Sequence, residues 1–262
     1  MPHVAGSEGP VHRVPDLAFT GIENFRDFGG FTGRHGNMRT GLLFRSGHHA
    51  LASDEDLARL AGLNIATIID LRRPAERAAQ PSRRAPDFRG NVFASDEGPA
   101  EGPHVAFMAA GDLSDAAIER FLIDYYRAAP FEPAHRKLFA HAFAALSDGP
   151  LLIHCMQGKD RTGLLAALIQ LALGADETVV MEEFLRTNDI MLTETRIARA
   201  SAGLAAMTGK PPSMVALRGL LGVDARHLET ALAAIRAAPG GMDAYLAGLG
   251  GDPARLTAAF RA

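Results

Sequence analysis

The chain of 262 residues holds a single cysteine, and the residues around it are those a nucleophile needs. They read His154-Cys155-Met156-Gln157-Gly158-Lys159-Asp160-Arg161-Thr162-Gly163. The apolar run Pro150-Leu151-Leu152-Ile153 predicts a short buried strand before the cysteine, and Leu164 to Leu173 predicts a buried helix after it. A strand, a tight loop and a helix start in that order make an anion cradle, because loop amides and the positive end of the helix converge on one point. Such a cradle favours the thiolate form of a thiol, and a thiolate is a strong nucleophile. Arg161, six positions after Cys155, returns to the loop mouth, where its guanidinium can grip two oxygens of a tetrahedral anion. The chemistry implied is that of a cysteine-dependent phosphatase, which needs no metal and no organic cofactor.

Other chemistries do not fit these residues. A nucleotide-binding P-loop places Ser or Thr after Gly-Lys, but Gly158-Lys159 is followed by Asp160, and its first glycine would fall on Ile153. A zinc site needs several thiols or clustered histidines, and His135 and His141 stand six apart, off the spacing of one helix face. A redox pair needs a second cysteine.

In the phosphatase reading, Cys155 attacks phosphorus in line. The amides from Met156, Gln157, Gly158 and Lys159 through Arg161, with the Arg161 guanidinium, hold the equatorial oxygens. Thr162 could hydrogen-bond the sulfur and help it leave, and His154 could orient the loop or simply pack. Lys159, a second cation beside Arg161, would suit substrates with more than one phosphate, or be a solvated surface lysine. Arg72, Arg73, Arg77, Arg83 and Arg84 form a local basic cluster that could add to the site or be a solvated face.

The decapeptide from His154 to Gly163 resembles the loop of protein-tyrosine phosphatase-like enzymes, and more narrowly that of the bacterial tyrosine/lipid phosphatases of the atypical, dual-specificity-like group. Three further segments are similar to that group: Asn24-Phe25-Arg26-Asp27-Phe28-Gly29-Gly30, Leu43-Phe44-Arg45-Ser46 and Asp70-Leu71-Arg72. Together they cover most of the first 165 residues; beyond them the likeness rests on Thr187-Asn188 and Tyr245-Leu246. The resemblance implies phosphotyrosine, phosphoserine/threonine or phosphoinositide substrates, and paired C-terminal helices over the active site. It also makes Asp160 the first candidate for the acid that protonates the leaving group, with a cap or ion pair holding the loop as its other role. Asp70, Asp96 and Asp27 are further candidates that geometry must rank. Arg26 and Asp27 are expected to brace the phosphate loop, Phe25 and Phe28 to anchor their segment, and Asp70 to support the site.

The elements that must position these groups follow from the periodicity. Strands are expected at Leu42 to Arg45, Ile65 to Leu71 and Asn91 to Ala94, with helices at Ser53 to Ala61, Ser114 to Ala128 and Pro133 to Leu146. Pro74 to Asp87 reads as a short helix then a loop, and Asp96 to Leu113, with five Gly or Pro residues, as the first candidate for a flexible loop. Helices are expected over Glu177 to Thr187, Thr193 to Met207, Ser213 to Leu221 and Leu228 to Ala237. The expected fold is α/β, a mostly parallel central sheet flanked by helices, protein-tyrosine-phosphatase-like, with a helical C-terminal third. Residues 1–262 are expected to form one phosphatase domain, with a Gly/Pro-rich arm at 1–17 and a helical cap at about 177–237.

Bulk properties agree with a soluble enzyme. The net charge of −3 gives no reason to expect nucleic acid or anionic membrane as a bulk partner. No apolar run of about 18 residues predicts a membrane span, and Met1 to Pro10 lacks the basic and apolar regions of a secretory signal. Cytoplasm is the default compartment, with export by another route left open. The expected partner is a phosphorylated protein or a phosphoinositide, and the oligomeric state is not encoded legibly. Two other readings stand beside the enzyme: a degenerate phosphatase that binds phosphorylated partners, and another thiolate enzyme such as a sulfurtransferase or arsenate reductase. The intact Cys155, Asp160 and Arg161 argue against the first, and the missing resolving thiols and the Lys-Asp-Arg-Thr-Gly run against the second.

Overall fold

The computed structural model describes residues 18–98 and 102–251, so the expected arm at 1–17 lies outside the described residues. Three two-residue strands come first, β1 (Arg26–Asp27), β2 (Thr32–Gly33) and β3 (Gly36–Asn37). They are followed by β4 (Leu43–Ser46), α1 (Asp54–Gly62), β5 (Thr67–Asp70), α2 (Pro74–Ala79) and β6 (Asn91–Ala94). Next come α3 (Pro103–Ala110), α4 (Asp115–Ala128), α5 (Pro133–Ala145) and β7 (Leu151–His154). After α6 (Asp160–Ala172) the chain is helical: α7 (Glu177–Met191), α8 (Glu194–Thr208), α9 (Met214–Leu221), α10 (Ala225–Ala237) and α11 (Gly241–Gly248).

Five strands form one sheet in the order β1-β4-β7-β5-β6, parallel throughout except for the β1–β4 pair. A parallel sheet must be covered on both faces, and the strands show it. On one face Leu43, Ile69, Leu151 and Ile153 pack with Phe139, Leu165 and Ile169. The alternate residues Phe44, Ile68 and Leu152 point to the other face and meet Phe25, Leu57 and Ile65. Each large side chain so buried stabilises the fold by roughly 1.5–3 kcal/mol. Helix α6 is apolar all round because it is buried all round, every residue from Thr162 to Gln170 being inside.

The register fixes where the site lies. Ser46 and Asp70 both pair with His154, so the carboxyl ends of β4, β7 and β5 stand level and Cys155 emerges just beyond them. That is where parallel α/β sheets bind their ligands. The expected helix at Ser53 begins with a capping box, Ser53 and Asp56 each accepting from the other's amide. The stretch from Asp96 to Leu113 differs from the expectation: it contains the two-turn helix α3. The hairpin β2–β3 and α11 lie where no element was expected. Among the described residues no helix is long and apolar enough to cross a membrane.

Candidate active site

The loop from Cys155 to Lys159 is shaped by what its carbonyls bind. Met156 O accepts from the His48 amide (3.0 Å), and Gln157 O and Gly158 O accept from Asn24 Nδ2 (3.0 and 2.9 Å). Gly158 O and Lys159 O also accept from Arg45 Nη2 at 2.7 and 3.3 Å. In a trans peptide the N–H of the next residue points opposite to the carbonyl, and no cis bond is present among the described residues. The amides of Gln157, Gly158, Lys159 and Asp160 therefore turn to the other side of the loop, where Cys155, Met156, Gln157, Asp160 and Arg161 line a cavity of about 260 Å³. Gly158 makes the turn possible: its φ is +67°, and a Cβ there would lie 2.4 Å from the Ser46 backbone.

Arg161 is aimed by a residue that the reading of the sequence did not single out. Glu76, on α2, takes Arg161 Nη1 at 2.7 Å and Nη2 at 2.8 Å, and Leu71 O takes Nη1 at 3.0 Å. A guanidinium has five N–H groups. Three are spent, and the two left, on Nε and Nη2, form the side-on fork that fits two oxygens of a phosphoryl group. Burial opposes the charge of Arg161, but the Cys155 sulfur and Glu76 outweigh it and hold its pKa above the ordinary range. Burial likewise pulls Glu76 upward, yet its pairing with Arg161 leaves it below the ordinary carboxylate value.

Asp160 opens α6 and lines the cavity with Cys155. Its Oδ1 accepts from the Tyr126 hydroxyl at 2.8 Å, and Lys159 Nζ lies 3.8 Å from Oδ2. Burial raises its pKa, but Lys159, His104, Tyr126 and His227 together hold it below the usual value. Lys159 itself is buried, and its ammonium donates to Leu220 O (2.6 Å) and Gly219 O (3.5 Å) on α9, so it is neither in solvent nor in the cavity lining. The cation that does line the cavity beside Arg161 is Arg73. Arg73 donates to Glu132 through Nη2, while its buried Nη1 has no partner among the described residues.

The other acid candidates are committed elsewhere. Asp70 is gripped by Arg72 at 2.7 and 2.9 Å; burial pulls its pKa up, but nearby His154 and the Arg72 contacts hold it at about 2. Asp96 pairs with Arg77 on the surface, and Asp27 accepts from the amides of Gly29 and Gly41. His154 stacks on His49 with ring centroids 4.7 Å apart, and burial pushes its pKa down to about 4, so it is neutral at pH 7. Thr162 Oγ1 is buried, and among the described residues it has no hydrogen-bond partner, the Cys155 sulfur included.

The segment expected to brace the loop divides its labour. Asn24, left-handed at φ 56°, makes the direct contacts described above. Arg26 reaches the loop only at one remove: it donates to Asn24, to Thr187 Oγ1 (3.0 Å) and to Glu183 (2.6 Å). Arg45 donates to the second oxygen of Glu183 at 2.6 Å, so one carboxylate on α7 balances two buried guanidiniums that carry the loop. Glu183→Gln leaves both cations without a counter-charge. The expected loss of unfolding free energy is about 3–5 kcal/mol, read from urea denaturation; a loss under about 1 kcal/mol would contradict the account. Burial raises the pKa of Glu183, but Arg26 and Arg45 overcome it and hold it below 4.5. Its stabilisation is therefore complete above about pH 4.5 and lost as pH falls through the lower folded value.

Helix α3 closes the cavity on one side with Pro103, His104, Val105 and its N-cap Gly102, and α4 contributes Tyr125. None of the lining residues belongs to 177–237, the stretch expected as a cap. The His104 ring sits edge-on to Tyr125 at 4.6 Å, and burial pushes its pKa down to about 4.

Comparison with known proteins agrees with this geometry. The sequence profile of the tyrosine phosphatase family matches residues 17–261. A Cupriavidus necator protein carrying a provisional tyrosine-protein phosphatase name is 34% identical over 235 residues, spanning 88% of this chain and 82% of that one. The triple specificity protein phosphatase PtpB of Mycobacterium tuberculosis is 30% identical over 254 residues, spanning 86% of this chain and 91% of its own. Among solved structures, P. aeruginosa TpbA is 24% identical and covers 65% of this chain and 88% of its own, at a TM-score of 0.31. With a profile that runs over nearly the whole chain, the protein belongs to the tyrosine phosphatase family.

Proposed function

We propose that the protein hydrolyses phosphomonoesters through a phosphocysteine on Cys155. The observation that carries this is the shared focus of three groups on one cavity: the sulfur of Cys155, the inward-turned loop amides and the two spare N–H groups of Arg161. The sulfur lone pair forms the S–P bond as the P–O bond to the leaving group breaks, while amides and guanidinium hold the equatorial oxygens. Asp160 gives its proton to the departing oxygen. Water then cleaves the S–P bond, Asp160 takes back a proton, and inorganic phosphate and the thiolate are released. In the unliganded site Asp160 is held ionised by its neighbours, and the incoming phosphate dianion opposes that shift and favours the protonated acid. Lys159 acts here by positioning Asp160 against α9.

For the substrate we favour phosphotyrosine in a protein, because Tyr125, Pro103, His104 and Val105 wall the cavity with surface suited to an aryl ring. A phosphoinositide is the second reading, favoured by the spare Nη1 of Arg73, which can take a second phosphate. The test is phosphate release from an aryl phosphate, a phosphotyrosine peptide, a phosphoserine peptide and a panel of phosphoinositides. Release from the first two is expected. Arg73→Met is expected to cut kcat/KM about tenfold for a phosphoinositide with two ring phosphates, the worth of one charged hydrogen bond, while the aryl phosphate changes little. Equal losses on both would remove Arg73 from the specificity account. No release from any substrate, by folded protein that still binds phosphate, would overturn the enzyme reading in favour of a binding module.

A further inference from the structure

A second cavity, of about 350 Å³, lies on the opposite side of the sheet from α6. Its size falls within the range of roughly 300–1,000 Å³ usual for small-molecule sites. Leu57, Leu60, Ile68 and Leu152 make its walls apolar, and the buried His49 also lines it. The loop over it, residues 83–90, brings in three arginines and one carboxylate, the exposed Asp87.

Two of the arginines are accounted for. Arg83 donates to Ala52 O and to Asp54 at 2.6 Å, and Arg89 is exposed and, among the described residues, bonds only its own loop's carbonyls. Arg84 is different. Among the described residues it makes no hydrogen bond and no ion pair, and its Nε is buried. The carboxylate that bears on it, Asp70, is already held twice by Arg72. A half-buried guanidinium that bonds no carboxylate directly, on the wall of an apolar cavity, is under-satisfied and complementary to an anion that carries an apolar body.

We infer that this cavity binds a small organic carboxylate with a medium-length alkyl chain, its carboxylate on Arg84 and its chain along Leu57, Leu60 and Leu152. The site adjoins the catalytic loop without entering it, because the His49 ring stacks on His154, the residue before Cys155. The proposal is independent of which phosphoester the protein hydrolyses.

The probe is octanoate, titrated calorimetrically into the full chain with inorganic phosphate saturating the catalytic cradle. One equivalent is expected to bind with phosphate present and to move the ring resonances of His49. Arg84→Gln is expected to weaken it at least tenfold, Ala85→Phe to block it by filling the cavity, and uncharged 1-octanol to bind at least tenfold more weakly than octanoate. Both variants are expected to keep aryl phosphate turnover, which reports their folding. Should Arg84→Gln fail to fold, Ala85→Phe and the octanol comparison decide. Displacement of octanoate by phosphate, absence of saturable binding, or unchanged affinity in the folded variants would overturn the inference.

Discussion

Cys155→Ser is expected to lower phosphate release about 10⁴-fold or more, the scale seen when a nucleophile is removed from an otherwise intact site. The loss follows from what the cradle can and cannot do. Its amides and the Arg161 fork stabilise negative charge, but a serine hydroxyl is far too weak an acid to be ionised there, so the nucleophile disappears while the anion site remains. Cys155 is buried and the exchange of sulfur for oxygen is nearly isosteric, so thermal stability should change by no more than about 1 kcal/mol. Phosphate should still bind, since Asn24 and Arg45 hold the loop without reference to the sulfur. Turnover retained in this variant would place the nucleophile elsewhere.

Asp160→Asn is expected to separate substrates by their leaving groups. An alkyl phosphate leaves as an alkoxide that must be protonated, and loss of the acid should cost about 10²–10⁴-fold. An aryl phosphate with an electron-poor ring leaves as a stable phenoxide and should lose less than about tenfold. Folding offers little to confuse the result, because the Tyr126 hydroxyl can donate to an asparagine oxygen as it donates to Asp160 Oδ1. The structure supports this choice by elimination as well as by position. Asp70 is locked to Arg72, Asp96 faces Arg77 on the surface, and Asp27 closes a backbone turn. Equal losses on alkyl and aryl substrates would leave Asp160 as a structural ligand of Tyr126 and Lys159.

The catalytic loop was legible because its strand, turn and helix start are specified by neighbouring residues. An apolar run, a lone cysteine, a glycine and an arginine within the twelve positions from Pro150 to Arg161 specify strand, turn and helix start, and the described chain has β7, the Gly158 turn and α6 there. What was not legible is long-range. Glu76 meets Arg161 across 85 positions and Glu183 meets Arg45 across 138, and no local pattern marks either glutamate as a partner. Lys159 shows the same limit at short range: its neighbours in sequence suggest a cation at the mouth, yet its long side chain turns to carbonyls some 60 residues away on α9. Arg73, buried in the basic cluster of the sequence, is the cation that lines the cavity instead.

The stretch before α4 departs from the expectation for a different reason. Five glycines and prolines there suggested a loop, but two of them punctuate a helix. Pro103 occupies the first turn of α3, where its missing N–H costs nothing, and Gly111 ends it in the left-handed conformation at φ 79°. Pro then Gly, eight residues apart, was the available signal. It matters because α3 walls the cavity and carries His104 and Val105 to it. That Asp160 and His104 line one cavity is likewise visible only once α3 and α6 are placed.

The central claim is that phosphorus passes through Cys155, and trapping the intermediate tests it most directly. An aryl phosphate with a labelled phosphoryl group would be mixed with the protein, quenched in acid during turnover, digested, and each peptide read by mass spectrometry. The account predicts one phosphoryl group on the peptide containing Cys155, carried on sulfur and absent from Cys155→Ser. Label on a different side chain, or steady turnover with no labelled peptide at any quench time, would contradict it.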